Sequence, residues 1–557
     1  MKKDFSILIG GAAGLGSRKA GLMIAKLLAE YGYRIFIYDD YQSLIRGGHS
    51  YSKIRAAEKN VLSHREKIDF LLALDKKTID LHQKELEENG LIICTQEECS
   101  PSFEEVISLP AEKIIQNNGG KKIMKNIVLV AAFAKVTGIK WQTLKKVLEK
   151  EIAKKYIGIN IKIAKESFER VEQRFVLEKL KQKKVSLLTG NEAVGLGAIK
   201  AGLKAYFAYP MTPATGILHY LANQKKKFNL KVVQLENEVG IINAALGAAY
   251  TGARTMVGTS GGGFALMVEG FSLAAQSEIP IVVVESQRMS PASGVPTYQG
   301  QGDLLFVLGA GHGDIVRFVI APGDAEEACF WAAKILNLAW KYQTPSILLI
   351  DKEISESTFS FDEKILKKIK VEKPLLWDRK GDYLRYKITK NGISPLAFPG
   401  ERGVVVKANS YEHDEFGITV EEKEKVVRMQ EKRLRKFKEM KKEVEKIKEA
   451  VKVYGQKNSE IAIIVWGSTK GPAKEAAEKL GIKMIQPLIL QPFPEKQIKK
   501  ALKNVESLIL VETNGLGQLE KVLNSYGIKV SRKILKYDGR PFTAEEIEKE
   551  IKKNFKK

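Results

Sequence analysis

The chain has 557 residues, too many for one hydrophobic core, so we expect three or four domains in a globular protein that is 44% hydrophobic and 28% charged. It has no apolar run near the ~18 residues of a membrane span and no N-terminal signal peptide, which predicts a cytoplasmic protein without membrane attachment. The net charge of +25 is spread over lysine-rich amphipathic helices and not gathered in one stripe, so we expect no nucleic-acid partner, but a solvated surface or an acidic protein partner.

The N-terminal region reads as an α/β domain. A buried strand at residues 5–9 leads into a glycine-rich turn from Gly10 to Ser17, then a helix and a second strand at 34–38. The turn reads G-G-x-x-G-x-G, whereas a nicotinamide site reads G-x-G-x-x-G, although Asp39 lies about where a ribose-binding acid would be. The glycine order favours a structural role, with an NAD-dependent dehydrogenase as an alternative.

A second α/β pattern follows a mostly helical stretch that ends near residue 183. It has short apolar strands and helices rich in small residues, which suit a doubly wound parallel sheet because small residues let helix and sheet approach closely. The pattern starts at residues 185–190, and strands are predicted at residues 205–209, 232–235, 255–258, 281–285 and 346–351. Beyond it we predict an irregular stretch, one long charged helix from Glu421 to Val453, and a last α/β unit.

Polar and glycine-rich motifs follow several of these strands between residues 189 and 303. The carboxyl ends of parallel strands converge on the ligand crevice, so a carboxylate, a hydroxyl, a glycine loop and a guanidinium should meet at one rim. A carboxylate there can hold a proton against a ring nitrogen, and a guanidinium can grip a substrate carboxylate. Any one of these residues could instead solvate a loop or form a structural ion pair. The candidates are Thr212, Glu236, Glu238, Ser260, Gly261 and Arg288.

The ordered set of motifs carries a family resemblance. The order N-E-A, Y-P-M-T-P, E-N-E-V-G, T-S-G-G-G-F, Q-R-x-x-P and P-T-x-x-x-x-G-D strongly resembles the alpha subunits of 2-oxoacid:ferredoxin oxidoreductases, which are thiamine-diphosphate enzymes. Two later elements, E-H-D-E-x-G from Glu412 and E-x-N-x-x-G-Q-L from Glu512, resemble further motifs of that family. The N-terminal G-G-A-A-G-L-G, with Arg46-Gly47-Gly48, resembles the gamma subunit, fused here ahead of alpha.

The resemblance implies a fold class and a domain order. We expect an α/β protein of several doubly wound parallel-sheet domains, with a thiamine-diphosphate pyrimidine-binding domain in the middle and a transketolase C-terminal-like domain at the end. The predicted domains are 1–183, gamma-like; 184–360, pyrimidine-binding; 361–457, an irregular linker with the long charged helix; and 458–557, C-terminal.

The resemblance also assigns roles to single residues. Glu238 matches the family glutamate that contacts N1′ of the aminopyrimidine and thereby activates C2 of the thiazolium; Glu236 ranks second. Thr212 and Arg288 match positions that bind the substrate carboxylate. Four more residues complete the expected pocket and cofactor contacts: Tyr209, Pro210, Ser260 and Gly261. The usual T-S-G-P-G and G-P-S-T-G stretches are altered here at residues 259–263 and 290–294, which leaves the preferred substrate open.

The chain carries only half of the expected cofactor site. It has no G-D-G element to hold the diphosphate through Mg²⁺, and its three cysteines include no C-x-x-C pair and are too few for a disulfide framework. The resemblance therefore implies that Mg²⁺ and a [4Fe–4S] cluster lie on a separate beta subunit of an alpha–beta hetero-oligomer. It further implies oxidative decarboxylation of a 2-oxoacid with coenzyme A, with electrons passing to ferredoxin and the gamma-like domain contributing to the coenzyme A site. A non-catalytic scaffold or regulatory subunit is the alternative, against which Glu238, Arg288 and Thr212 argue.

Overall fold

The computed structural model describes residues 3–43, 47–99 and 105–555, and the chain folds as two compact units. The first unit comprises Met1–Leu188, Ser357–Asp362 and Thr543–Glu545, and the second comprises Thr189–Glu356, Glu363–Phe542 and Glu546–Lys557. Among the helices of the described ranges, none is both long enough and apolar enough to cross a membrane.

Twenty strands are assigned within the described residues. In chain order they are β1 Asp4–Ala13, β2 Arg34–Asp40, β3 Gly47–Ala57, β4 Ile68–Ala73, β5 Leu86–Thr95, β6 Val106–Leu109, β7 Ser186–Thr189, β8 Ala205–Ala208, β9 Lys231–Gln234, β10 Thr255–Thr259, β11 Ile281–Gln287, β12 Phe318–Ile320, β13 Pro345–Asp351, β14 Thr358–Phe361, β15 Val451–Gly455, β16 Ile461–Ile464, β17 Lys483–Pro487, β18 Ile489–Gln491, β19 Ser507–Glu512 and β20 Arg532–Leu535.

The α-helices of the same residues number eighteen. They are α1 Ser17–Glu30, α2 Lys76–His82, α3 Ala111–Asn117, α4 Lys125–Val136, α5 Trp141–Glu151, α6 Ile157–Glu169, α7 Gly190–Lys200, α8 Thr215–Phe228, α9 Glu238–Tyr250, α10 Gly261–Gln276, α11 Leu304–Gly309, α12 Ala325–Tyr342, α13 Lys352–Glu356, α14 Lys423–Lys446, α15 Lys470–Leu480, α16 Glu495–Ala501, α17 Gln518–Asn524 and α18 Ala544–Phe555.

The first unit contains a mixed sheet of eight strands in the order β6-β5-β4-β1-β3-β2-β14-β7. The expected β1–α1–β2 opening is present, but β3 lies between β1 and β2 and pairs antiparallel with both, so the sheet is not purely parallel. Strand β14 pairs antiparallel with β2, which places residues 358–361 in this unit although the sequence assigned 358–360 to the middle domain. In the same unit, a disulfide joins Cys94 and Cys99.

The glycine-rich segment differs from the predicted turn. Strand β1 continues to Ala13, so Gly10 and Gly11 lie inside the strand, and only Gly14 and Gly16 adopt the positive φ angles of a turn. A Cβ atom at Gly10 would come within 2.8 Å of the Thr78 side chain, so close packing explains this glycine. The Arg46 that was grouped with the gamma-like motif lies outside the described residues.

The main sheet of the second unit has seven strands in the order β18-β12-β13-β11-β10-β8-β9. Strands β8 to β13 are mutually parallel, and only β18 is antiparallel, to β12. The chain passes from β8 to β9 on one side and then to β10 on the other, so the order reverses at β8 and β10. In open α/β sheets the ligand crevice opens at such a point, beyond the carboxyl ends of the strands. The predicted doubly wound fold is confirmed for this sheet.

A small residue lets two helices beside this sheet pack closely against each other. A Cβ atom on Gly197 of α7 would meet the carbonyl oxygen of Cys329 of α12 at 1.9 Å, which no side chain could tolerate. Helix α7 also begins with a capping box, in which the Thr189 hydroxyl accepts from the Glu192 amide and the Glu192 carboxylate accepts from the Thr189 amide.

A third sheet, in the order β15-β17-β16-β19-β20, completes the second unit. The long charged helix was predicted to reach Val453, but α14 ends at Lys446 and Val451 to Gly455 form β15, paired antiparallel with β17. The alternation of Val451, Lys452 and Val453 is a strand pattern, and a helical reading of this stretch was wrong. The buried face of α14 also includes two lysines, Lys432 and Lys436, among the apolar residues.

Candidate active site

The predicted site residues follow strands β8 to β11 of the parallel sheet. Tyr209 to Thr212 follow β8, Glu236 and Glu238 follow β9, Ser260 and Gly261 follow β10, and Arg288 follows β11. Because these strands run parallel, all of these segments leave the same edge of the sheet, at and beside the point where the strand order reverses. The fold therefore places the candidates along one rim.

Glu238 is the first residue of α9 and is 5% exposed. The preceding Asn237 caps the helix, its side chain accepting a 2.8 Å hydrogen bond from the Gly240 amide. Within the part of the chain that the structure describes, the Oε1 atom of Glu238 is buried and has no hydrogen-bond partner. A buried carboxylate oxygen without a donor is unusual, and it marks Glu238 as a group that can receive a proton-bearing ligand atom.

Glycines at the start of α10 make room for this carboxylate. A Cβ atom on Gly263 would come within 2.8 Å of Glu238 Oε1 and 2.1 Å of Thr259 Oγ1. Any side chain at position 263 would therefore displace the glutamate. The T-S-G-G-G segment thus allows close approach between the start of α10 and the start of α9.

Glu236 does not share the surroundings of Glu238. It lies in the turn between β9 and α9 and is exposed, whereas Glu238 points into the protein. Sequence analysis left open whether the two residues share a face, since they would on a strand but not in a turn. The chain turns at residues 236 and 237, which separates them.

Ser260 and Gly261 line a cavity of about 480 Å³ at this rim. Ser260 is the N-cap residue of α10, it is 1% exposed, and its buried hydroxyl has no partner among the described residues. A Cβ atom on Gly261 would come within 2.6 Å of Asp303 Oδ2, so this glycine is also required by its surroundings. The same cavity is lined by Arg288, by Asp303 and by residues 513–516 of the third sheet's connecting loop.

Arg288 and the backbone of Thr212 are joined by a hydrogen bond. The guanidinium Nη1 of Arg288 donates a 2.8 Å hydrogen bond to the backbone carbonyl oxygen of Thr212. Burial lowers the pKa of Arg288, and the carboxyls of Asp303 and Glu285 partly oppose this effect. Tyr209 and Pro210 are exposed and do not line the 480 Å³ cavity.

Two carboxyls that sequence analysis did not select lie beside Arg288. Burial raises the pKa of Glu285 well above its ordinary value, and Asp303 and Asp351 raise it further. Burial also raises the pKa of Asp303. Glu285 lies within the apolar run of β11, and nothing in that pattern separates it from the strand. Asp303 belongs to the G-D element that the resemblance did include, but without a role.

The segment from Gln299 to Asp303 is held by the last family-like element. Gln518 Nε2 donates to the Gly302 carbonyl oxygen at 2.6 Å, and Asn514 Nδ2 donates to the Gln301 carbonyl oxygen at 3.0 Å. The element is itself fixed by the buried Glu512, which accepts a 2.6 Å hydrogen bond from Trp466 Nε1. The E-x-N-x-x-G-Q-L motif therefore positions one wall of the cavity, a link between distant segments that the sequence alone did not reveal.

The other family-like elements lie elsewhere. In E-H-D-E-x-G, Glu412 accepts hydrogen bonds from Arg433 of α14, and the backbone oxygen of Tyr411, just before the element, accepts one from Gln276, the last residue of α10. Because α10 has 16 residues, this contact is about 22 Å along the helix from Gly261. In the first unit, the carboxylate of Asp39 accepts hydrogen bonds from Ser52 and Arg18. Both of its oxygens are therefore already bound to protein groups, whereas a ribose site would need them for the sugar hydroxyls.

Comparisons with known proteins cover nearly the whole chain. A family model described as "Pyruvate flavodoxin/ferredoxin oxidoreductase, thiamine diP-bdg" matches residues 196–433. Models described as "Pyruvate ferredoxin/flavodoxin oxidoreductase" and "Pyruvate:ferredoxin oxidoreductase core domain II" match residues 6–170 and 459–547.

Individual relatives agree with these models. The 2-oxoacid:ferredoxin oxidoreductase subunit alpha of Sulfolobus sp is 33% identical over 616 aligned residues, covering 99% of this chain and 97% of the relative. The 2-oxoglutarate synthase subunit KorA of Methanocaldococcus jannaschii is 32% identical and matches 66% of this chain and 99% of its own length. The solved 2-oxoglutarate:ferredoxin oxidoreductase from Magnetococcus marinus, with 2-oxoglutarate, coenzyme A and succinyl-CoA bound, superimposes with a TM-score of 0.90 at 29% identity, covering 99% of this chain and 100% of that one.

Proposed function

The chain belongs to the 2-oxoacid:ferredoxin oxidoreductase alpha subunits, and we propose that it supplies the proton-handling and substrate-binding half of a thiamine-dependent active site. The reaction is the oxidative decarboxylation of a 2-oxoacid with coenzyme A to an acyl-CoA and CO₂, with electrons passing to ferredoxin. One observation carries the assignment to this rim: Glu238 is buried at the start of α9 with a carboxylate oxygen that has no partner in the described part of the chain.

The residues at the rim fit the pyrimidine half of thiamine diphosphate. An unpartnered buried oxygen on Glu238 suits a ring nitrogen. At the start of α10, a Cβ atom on Gly262 would have no atom within 4 Å, so there is open space beside this turn of the helix. When bound, thiamine diphosphate supplies a carbon nucleophile that can attack the 2-oxo carbon and take up the electron pair left by CO₂. Glu238 then has one task, which is to hold a proton at Oε1 and exchange it with the ring nitrogen.

Arg288 is proposed to bind the substrate carboxylate. Its guanidinium reaches the loop after β8, where Thr212 lies, and it lines the cavity that also contains Ser260 and Gly261. A guanidinium can bind a carboxylate through two parallel hydrogen bonds, which fixes both the position and the orientation of the 2-oxoacid. Thr212 can add a hydroxyl contact, while the exposed Tyr209 and Pro210 would shape the entrance.

The remaining half of the site is assigned to a separate beta subunit. The chain has no G-D-G element for the diphosphate and Mg²⁺, and three cysteines are too few for a [4Fe–4S] cluster. We therefore place the Mg²⁺, the diphosphate contacts and the cluster on that partner, which would pass electrons to ferredoxin. The exposed rim residues Tyr209, Val239 and Leu266 lie on the loop after β8 and on α9 and α10, where such a partner would cover the cofactor.

The N-terminal region is proposed to be a gamma-like domain that contributes to the coenzyme A site. A separate family model matches residues 6–170, while the KorA relative matches only 66% of this chain but nearly all of its own length. Both observations support a fusion of two segments that occur as separate chains in some relatives. The predicted division into domains 1–183, 184–360, 361–457 and 458–557 remains a proposal of this kind.

Co-expression with a beta chain that carries G-D-G and cysteine ligands tests the proposed function. The purified complex would be supplied with thiamine diphosphate, Mg²⁺, coenzyme A and a panel of 2-oxoacids, with a viologen dye as electron acceptor. We expect coenzyme A-dependent dye reduction with at least one of pyruvate, 2-oxoglutarate, branched-chain or aryl 2-oxoacids, and none from this chain alone. A complex that assembles but reduces no dye with any of them would favour a scaffold or regulatory subunit.

A further inference from the structure

Glu285 is a completely buried carboxyl near the carboxyl end of β11. In the described ranges, neither of its carboxylate oxygens accepts a hydrogen bond from any N–H or hydroxyl group. Its register partners on the flanking strands, Thr259 of β10 and Leu349 of β13, carry no charge. An ionised carboxylate without a partner is strongly unfavourable in this position, so the group needs either a cation or a proton.

The neighbouring acid on β13, Asp351, is a buried carboxylate that does have hydrogen-bond donors. Asp351 accepts three hydrogen bonds, from the backbone amides of Ser468 and Ile354 and from the side chain of Gln301. Those donors stabilise its negative charge without help from Glu285. Asp351 and Glu285 are both buried near the carboxyl ends of neighbouring strands, so the contrast between them lies in their local donors.

Asp303, the residue just before α11, is the other carboxyl of this part of the rim. The two carboxyls contact each other, and both are oxygen acceptors, so a hydrogen bond between them requires a proton on one of them. Burial raises the pKa of Asp303, against the Ser290 hydroxyl and the Arg288 guanidinium, which lower it. Two carboxyls in this situation titrate as a pair and retain a shared proton to a higher pH than either would alone.

Arg288 connects this pair to the substrate. Its charge interacts with both Glu285 and Asp303, while its Nη1 atom donates to the Thr212 carbonyl oxygen. With one shared proton the pair carries a single negative charge, which Arg288 balances. With no proton the pair carries two negative charges, which would bind Arg288 more strongly and repel an incoming carboxylate.

We propose that Glu285 and Asp303 are positioning residues that share one proton, and that this proton sets how strongly Arg288 binds the carboxylate of the 2-oxoacid. Apart from Asp303, the charged groups that interact with Glu285 are Arg288 and Asp351. Loss of the shared proton weakens substrate binding, so binding is linked to proton uptake. The kinetic consequence rests on the proposed role of Arg288, whereas the shared proton itself does not.

The kinetic test compares the KM for the 2-oxoacid across pH in the reconstituted complex. In the wild type, KM should rise with pH once the pair loses its proton, by up to about tenfold per pH unit, the limit for one linked proton. Glu285→Gln keeps the shape and the shared hydrogen but cannot titrate, so its KM should be flat over the same range. If Glu285→Gln folds poorly, Asp303→Asn provides a second test: it removes a charge that raises the pKa of Glu285, so the rise in KM should move to lower pH.

Two comparisons separate this linkage from a merely structural role. The KM for coenzyme A should not follow the same pH profile, and Glu269→Gln, which removes an exposed carboxyl from α10, should retain the wild-type slope. A wild-type KM that does not change with pH, or a Glu285→Gln variant that keeps the full slope, would overturn the proposal.

Infrared spectroscopy tests the proton without relying on turnover. A protonated carboxyl absorbs apart from ionised carboxylates, so at a pH where exposed acids are ionised the difference spectrum of wild type minus Glu285→Gln should show a protonated-carboxyl band. A difference spectrum without that band would overturn the shared proton. A complex that turns over no 2-oxoacid would count against the proposed function, and the infrared comparison would still decide the state of the pair.

Discussion

Strand β11 has a buried glutamate near each end, and the two have opposite surroundings. Before the strand, Glu278 accepts hydrogen bonds from Lys432, at 2.6 Å, and from Lys436, and all three side chains are essentially unexposed. Near its carboxyl end, Glu285 is equally buried but has no donor among the described residues. The comparison teaches that a compensated buried charge belongs to the framework, whereas an uncompensated one lies at the rim where ligands bind.

The pKa directions follow from this difference. Burial alone would raise the pKa of Glu278, but the two lysines outweigh it and hold the pKa well below the ordinary value. At Glu285 burial, Asp303 and Asp351 act in the same direction, and the pKa is raised. Burial also lowers the pKa of Lys432 to about 7, with Glu278 opposing this effect. The cluster around Glu278 is therefore held together by the glutamate's charge.

Removing the charge of Glu278 should have the largest effect on stability. Glu278→Gln leaves two buried lysines without a carboxylate, so we expect a loss of about 3–5 kcal/mol in the free energy of unfolding. Urea denaturation followed by tryptophan fluorescence measures it, because the second unit holds four of the five tryptophans. Glu269→Gln, an exposed change in the same unit, should alter stability by less than about 0.5 kcal/mol.

Glu278 also determines how the stability of the fold changes as the pH falls. Because the folded pKa of Glu278 is lowered, its contribution is fully present above the unfolded pKa of about 4.3 and is lost as pH falls through the folded value. The wild type should lose stability in acid, and the Glu278→Gln variant should lose less. Equal acid sensitivity in both proteins would show that the lysines are not stabilised by this carboxylate.

Arg288→Ala should have an intermediate effect. It should change substrate binding and not the stability of the fold. Losing a charge-assisted hydrogen bond to the substrate should raise the KM for the 2-oxoacid by about 10- to 100-fold, with a much smaller change for coenzyme A. Steady-state kinetics of the reconstituted complex measure both. Arg379→Ala, which removes an arginine whose side chain is 77% exposed, serves as the matched control. Equal changes for both substrates would remove Arg288 from the carboxylate site.

The smallest expected effect is on stability at Glu285. A raised folded pKa costs stability as pH rises from the unfolded pKa towards the folded one, and Glu285→Gln removes this cost. Relative to wild type, the variant should therefore gain stability as the pH rises from 5 to 8. Unfolding curves at the two pH values measure the difference. A variant that loses stability with rising pH as steeply as wild type would contradict the comparison.

The sequence predicted the parallel sheet of the second unit because its strands are short apolar runs bounded by motifs. Those strand ends also located Glu238, Arg288 and Thr212 on one rim, and the structure joins Arg288 and Thr212 by a hydrogen bond. The mixed sheet of the first unit was not predictable in the same way. Strand β3 enters between β1 and β2 through long-range pairing, and local patterns do not encode which strands become neighbours.

The buried charges were the least accessible to sequence reasoning. Glu278 is more than 150 positions from both Lys432 and Lys436, and the lysines lie in a helix that reads as a solvated charged surface. Glu285 is a single acid in an apolar strand, whereas its partner Asp303 lies in the loop just before α11. Only the fold brings each set together, so only the structure distinguishes the compensated carboxylate from the uncompensated one.

The turnover of Glu238→Gln in the reconstituted complex tests the central claim most directly. We predict that the variant assembles normally with the beta chain and loses at least about 100-fold in kcat, because a general acid–base group has been removed while the shape is kept. Glu236→Gln, two positions earlier on the exposed turn, should cost far less. Activity of Glu238→Gln above roughly a tenth of wild type, or a larger loss at Glu236, would contradict the account.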